Sequence, residues 1–233
     1  MASETGRHLL ASVILDKTRP DPPPRPAFTA NEWRVIQPHR TPLQVQRFLN
    51  SLPYNWEKPK ETLRSFRGVI ATGTAHCLEA AITAAIILEQ HGYPPLLLSL
   101  ESVDRLDHVL FLFQHNERWG TVARSRDAGL HGRRPVFRSV RDLVQTYVEP
   151  YVDFTGRLIG YGVGNLNALG DYDWRFSLRN VWKVERYLQK IPHSRYRMSD
   201  RRYARALRRY KAFRARDPHG PVTDYDSKPL WLG

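Results

Sequence analysis

Cys77 and His108 are the residues whose types and positions offer the clearest chemistry. Cys77 is the only cysteine among 233 residues, and it falls at the first turn of the most regularly helical stretch of the chain. A thiol becomes a nucleophile when its thiolate is stabilised, and the unpaired N–H groups and dipole of a helix N-terminus do that. Gly73-Thr74-Ala75 precede it and supply a turn and a cap. His108 interrupts the apolar run DHVLFLF. A buried imidazole must be hydrogen-bonded, and one that meets a thiol serves as its base. The structural alternatives are a small buried hydrophobe at 77 and a satisfied core histidine at 108. Of the other histidines, His39, His115, His131, His193 and His219 fall in loops, turns or basic surface, and His91 lies at the far end of the helix. His76 adjoins Cys77, and neighbouring helical residues do not face each other.

A helix followed by strands must position this pair. From residue 76 to 90, Leu78, Ala81, Ile82, Ala85 and Ile86 recur at helical spacing. Gly92 suits the C′ position, and Pro94-Pro95 prevent continuation. Residues 96–100 read as a buried strand, and 107–113 and 118–124 as a hairpin turning at Asn116-Glu117. Upstream, Thr41-Pro42 starts a helix that Pro53 stops, and residues 60–66 read as a second short helix. Downstream, residues 139–147 read as a capped helix, 151–169 as strands or an ordered loop, and 181–216 as basic and helical. The expected fold class is α+β, with the cysteine-bearing helix packed on an antiparallel sheet.

The run GTAHCLEAAITAAIILEQHGYPPLLLSL, followed by DHVLFLFQHNERWGTVARS, resembles the core of the transglutaminase-like (papain-like cysteine) superfamily. The resemblance covers residues 64–127. It implies that Cys77 is the nucleophile and His108 the base of a thiol enzyme working through a thioester, released to water or to an amine. Hydrolysis, transamidation and ligation share these steps. The substrate would be a peptide, a protein or a small amide or ester. The sequence departs from the family at the third position, because the aspartate expected four residues after a tryptophan is here Ala123, after Trp119. Hairpin register offers substitutes. With Asn116-Glu117 as the turn, Ser125 falls opposite His108 and Asp127 is a diagonal neighbour, so Ser125 or Asp127 would orient the imidazole. The oxyanion would be held by the backbone N–H of Cys77, with Asn55 or Trp56 as side-chain candidates. The second functional class is a binding or scaffold protein that keeps the fold without full catalysis.

Composition bounds the rest. The hydrophobic fraction of 41% supports a sizeable core, and the net charge of +13 attracts acidic partners. With one cysteine, no intramolecular disulfide forms. The N-terminus lacks the pattern of a signal peptide, and no stretch approaches the roughly 20 apolar residues of a membrane helix. A cytoplasmic protein without a membrane anchor is expected. Residues 1–30, with the run RPDPPPRP, read as an arm and linker, 31–180 as the domain, and 181–233 as a basic extension. In that extension Tyr203, Leu207 and Tyr210 share one helical face among arginines, which predicts docking by the stripe and weak polyanion binding by the charges. No metal-spaced cluster, phosphate-binding glycine loop or dinucleotide fingerprint occurs, so no metal and no cofactor are expected.

Overall fold

The computed structural model describes residues 21–104, 107–218 and 228–233. Among them the chain forms α1 (Ala30–Ile36), α2 (Pro42–Ser51), α3 (Phe66–Thr72), α4 (Cys77–Glu89), β1 (Leu96–Ser102), β2 (His108–His115), β3 (Arg118–Val122), α5 (Val140–Gln145), β4 (Leu158–Asn165), α6 (Trp182–Lys190), β5 (Ser194–Arg195) and α7 (Asp200–Arg216). This is an α+β fold built on one antiparallel sheet of order β3-β2-β1-β4-β5.

The sheet is covered on both faces, which is why β1 reads as an almost unbroken apolar run. Leu97, Val109, Phe111 and Phe113 point to α4 and pack with Ile82 and Ile86. Leu98, Leu100, Leu110 and Leu112 point the other way, onto Val140, Leu143 and Tyr147. Every residue of α4 from Leu78 to Glu89 is buried, so the helix is a central rod whose orientation is over-determined. Its apolar side chains each contribute about 1.5–3 kcal/mol on burial. The expected hairpin is present: Asn116 and Glu117 both have positive φ, 47° and 59°, and His115 pairs with Arg118. That geometry matches the right-handed twist of the flanking strands.

Three expectations change, and one open alternative is resolved. Residues 60–65 are not helical, because their polar groups are drawn into bonds across the fold: Arg64 N to Glu79, Leu63 N to the Asn180 side chain, and Leu63 O to Val181 N. The helix begins instead beyond Ser65, whose side chain caps it, and ends at Gly73 with φ 67°. Residues 151–169 resolve into β4 and a 3-10 turn. The stretch 181–216 is not one helical unit. Val181, Val184 and Leu188 belong to the main core and β5 joins the sheet, so only α7 is peripheral. Of the expected arm, residues 1–20 lie outside the described residues. Phe28, within the described part, is buried against Trp33, Phe66 and Phe176.

Helix α7 docks through Ala206, its buried residue. Tyr203 lies under Arg157, and Tyr210 meets Phe154 edge-on. Arg202 and Arg209 turn inward to Glu149 at 3.1 and 3.2 Å, whereas Arg201, Arg205 and Arg208 are exposed. The tyrosines therefore contribute to docking as expected, but two of the arginines are structural. No described helix is long and apolar enough to cross a membrane.

Candidate active site

The start of α4 is fixed by a buried carboxylate. Glu79, in the helix's first turn, is wholly buried and receives Arg64 on both oxygens at 2.8 Å. Asn55, Thr62 and the backbone N–H of His76 complete its shell at 3.0, 3.1 and 3.2 Å. Burial works to raise its pKa, but the Arg64 bonds and the charge on His76 outweigh that and hold it down at about 2. A short parallel bridge between Tyr54 and Ala75 ties the same segment to the residue before the helix. The loop at 53–64 and the helix N-terminus thus form one unit, which sets where Cys77 stands.

Cys77 is the first residue of α4 and is partly buried. Burial alone would raise its pKa. Hydrogen bonds from His108 and from His76, with the positive charge of both rings, reverse the sign and hold the thiol at about 5. The expected pairing with His108 is present. His76 is the residue that sequence reasoning set aside: as the N-cap it has extended backbone, φ −89° and ψ −177°, so the rule for neighbours within a helix does not apply to it. Its Nε2 donates to Thr62 O at 2.9 Å and lies 3.6 Å from Glu79. Burial disfavours charge on this ring, but the bond to Cys77 and the negative charges of Cys77, Glu79 and Glu57 raise it to about 9.

His108 is buried at the end of the sheet, and its Nε2 lies 2.9 Å from Leu130 O. A carbonyl only accepts, so Nε2 carries the hydrogen and Nδ1 faces the thiol. The loop that supplies this carbonyl is held by Arg133, a completely buried cation that donates to Gly129 O at 2.6 Å and His131 O at 2.7 Å. Alternate carbonyls go to Arg133, and the one between them goes to His108.

Ser125 and Asp127 are brought to the same cavity as His108, whose charge acts on the Asp127 carboxyl, but among the described residues neither side chain hydrogen-bonds the ring. Pairing of β2 with β3 stops at Phe111 and Val122. Beyond it, Ala123 exchanges both backbone groups with the Gln46 side chain at 2.8 and 2.9 Å, and Arg124 reaches Leu52 O. The chain is thereby drawn toward α2 and the extrapolated register does not reach Ser125. Ser125 Oγ accepts from Asp127 N at 3.1 Å, and Asp127 Oδ1 from Gly129 N at 2.8 Å. Both shape the loop. Burial pushes the Asp127 carboxyl up to about 6. Asn55 donates its amide to Thr62 and Glu79, which takes it out of an oxyanion role, and Trp56 is 61% exposed.

Cys77 and His76 lie where two cavities meet. The larger, about 710 Å³, runs past Leu63, Ser99, Glu101 and Glu185. The smaller, about 260 Å³, holds His108, Ser125, Asp127 and Tyr54, and Tyr210 of α7 forms part of its wall. The residues missed from sequence were His76, Glu79, Arg64 and Arg133. A glutamate in the first turn, three residues beyond an N-cap, was a readable capping signal for Glu79. Arg64 and Arg133 are joined to the site through the fold, and His76 was hidden by its place at the N-cap. Comparison with protein-family models and with curated proteins finds no match.

Proposed function

We propose that this chain is a thiol enzyme of the transglutaminase-like type, acting on an amide or ester through a thioester on Cys77. One observation carries the reading: the sulfur opens a buried helix, borders open cavities that it shares with His76 and His108, and is held as a thiolate by those two imidazoles. The Cys77 thiolate attacks the carbonyl, and the developing oxyanion meets the unpaired N–H groups of the α4 N-terminus. His108 carries the thiol's proton and gives it to the leaving group, and then takes one from the water or amine that attacks the thioester. His76, held at about 9, is a fixed cation that keeps the thiolate ionised between turnovers. The order of helix, strand and histidine strand, and the packing of α4 on an antiparallel sheet, support the papain-like core.

The test is the pH dependence of Cys77 alkylation by iodoacetamide. The rate should rise through a midpoint near pH 5 and be flat above about pH 6.5. At pH 6 a thiol of pKa 5 has a few hundred times the thiolate of one at about 8.5. Its lower intrinsic nucleophilicity leaves a net advantage of roughly tenfold over a free thiol. A midpoint above pH 8 would remove the basis for a catalytic cysteine.

A second reading rests on the neutral carbonyl behind His108. Leu130 O stabilises a charged imidazole less than the family's carboxylate would. In that reading the chain keeps the fold without turnover, and α7 displays Arg201, Arg205 and Arg208 to an acidic partner. Mass spectrometry distinguishes the two: an ester substrate that acylates Cys77 and is then released favours the enzyme, and an adduct that persists favours the binding protein.

A further inference from the structure

The larger cavity beside Cys77 is lined by Glu57, Glu61, Glu101, Asp107 and Glu185, with His76 and His193 and, among the described residues, no lysine or arginine. This occurs in a chain with 36 Lys and Arg against 23 Asp and Glu. Elsewhere three buried glutamates are neutralised by arginine: Glu32 by Arg67, Glu79 by Arg64 and Glu89 by Arg175. In the cleft, Glu61, Glu101 and Glu185 form no hydrogen bond or ion pair among the described residues. They are left facing one another across open space in a protein rich in cations.

A second observation, independent of the charges, points into the same cavity. Ser99 is 5% exposed and lines it, and its hydroxyl has no partner among the described residues. The hydroxyl opens onto the cavity and is left for whatever enters. Ser99 and Glu101 alternate along β1 and share a face, putting the free hydroxyl beside the free carboxylate. Gly160 pairs with Glu101 across the sheet, and a Cβ at that position would come within 2.6 Å of Glu101 Oε2. The glycine therefore leaves room for the carboxylate where it lies. Burial, together with the charges of neighbouring carboxylates, raises the pKa of both Asp107 and Glu185 and outweighs the opposing charges of His193 on the one and of His76 and Arg186 on the other. Among the described residues no three His, Cys, Asp or Glu side chains converge to hold a metal ion. The spread of the acids suits an extended organic cation instead.

We propose that the cleft selects a positively charged substrate: a peptide whose lysine or arginine side chain occupies the cavity between β1 and α6, with Ser99, Glu101 and Glu185 accepting its N–H groups. This rests on Cys77 being the reactive centre, and the test separates the two claims. Cys77 of the full chain is modified by a trimethylammonium-ethyl methanethiosulfonate and by its sulfonate-ethyl counterpart, each rate normalised to 2-mercaptoethanol. At low salt the cationic reagent should be favoured by about tenfold, through field focusing in an acidic cleft. The preference should fall toward unity as salt rises, in the wild type alone. It should also fall in Glu101→Gln and Glu185→Gln, which break no hydrogen bond or ion pair. Pentalysine should protect Cys77 from iodoacetamide, and pentaglutamate should not. Equal normalised rates for the two reagents at low salt would overturn the proposal, as would equal protection by the two peptides. Iodoacetamide is neutral and reports the thiol itself. Fast alkylation without charge preference overturns the cationic substrate and leaves the enzyme reading intact. Slow alkylation with strong preference retains the cation site and removes the enzyme.

Discussion

In the interior and in the cleft beside Cys77, the same residue type is handled in opposite ways. In the interior, Glu32, Glu79 and Glu89 are each almost fully buried and each receives an arginine at 2.7–2.8 Å. In the cleft, Glu61, Glu101 and Glu185 sit at the cavity wall with no such partner among the described residues. Pairing is obligatory where no water reaches, because an unpaired buried charge is far too costly. Where water or a ligand can reach, the charge can stay free and act outward. The difference marks which carboxylates hold the fold and which are left for function.

The comparison is sharpened most by removing one charge from each set. Glu79→Gln leaves the Arg64 guanidinium buried without its counter-ion, and should cost about 3–5 kcal/mol in chemical denaturation. Glu101→Gln and Glu185→Gln should change stability by no more than about 0.5 kcal/mol. A loss below 1 kcal/mol for Glu79→Gln would mean that the interior pairs are dispensable and the contrast empty. Acid titration should give opposite signs for Glu79 and Glu185. Glu79 is depressed to about 2 in the fold, so its contribution is present above its unfolded pKa near 4.3 and is lost as pH falls through 2. Glu185 is raised in the fold; there the native state binds the proton more tightly, and protonation favours folding.

His76 is where the two sets meet, since it lies beside Glu79, Glu57 and Cys77. Its folded pKa, near 9, is above the unfolded value of about 6.5. The stabilisation it provides is therefore complete below pH 6.5 and is lost as pH rises through 9. His76→Ala removes one of the two cations holding the thiolate. The alkylation midpoint of Cys77 should move up by about one unit or more, slowing the reaction near pH 5 severalfold. A midpoint unchanged in His76→Ala would leave His108 as the only imidazole acting on the sulfur.

Helix α7 repeats the contrast with the sign reversed. Arg202 and Arg209 are committed to Glu149, and Arg201, Arg205 and Arg208 are free on the outer face. Changing the outer three to glutamine should leave stability within about 0.5 kcal/mol. It should also flatten the salt dependence of any single-stranded nucleic-acid binding by roughly two units of slope, from counterion release. A slope untouched by these changes would place the polyanion surface elsewhere.

Much of this arrangement was legible in the chain, and the illegible part has a common cause. The Cys77 helix, the buried strand after it and the hairpin turn follow from local rules: 3.6-residue spacing, an unbroken apolar run, and two residues at a two-residue turn. Cys77 and His108 were readable because each is an anomaly within such a pattern. His76 was passed over because a rule for residues inside a helix was applied to its N-cap. Arg64 and the Leu130 carbonyl act across 15 and 22 positions, and no local pattern announces a backbone carbonyl as the partner of an imidazole. Residues 60–65 failed as a helix for the same reason, since bonds to Glu79 and Asn180 outweigh local propensity.

The smallest expected effect concerns Ser125 and Asp127, the residues that hairpin register put opposite His108. Had the ladder run on past Val122, Ser125 would have been the natural acceptor for the second imidazole nitrogen. That acceptor is instead Leu130 O, and the Ser125 and Asp127 side chains are occupied by the N–H groups of Asp127 and Gly129. Ser125→Ala and Asp127→Asn should therefore change the Cys77 alkylation rate by no more than about threefold, equivalent to roughly 0.6 kcal/mol. Asp127→Asn retains an oxygen for Gly129 N and differs mainly in charge. Because burial raises the Asp127 pKa to about 6, any effect of that variant should appear above pH 6, where the native carboxyl is ionised, and vanish below pH 5. A loss of tenfold or more that persists at pH 5 would mean that the side chain, and not the loop it shapes, orients His108. Arg133→Met provides the control. It removes the cation that fixes the carbonyls on either side of Leu130, so it should slow alkylation more than either loop variant if the carbonyl is what holds the ring.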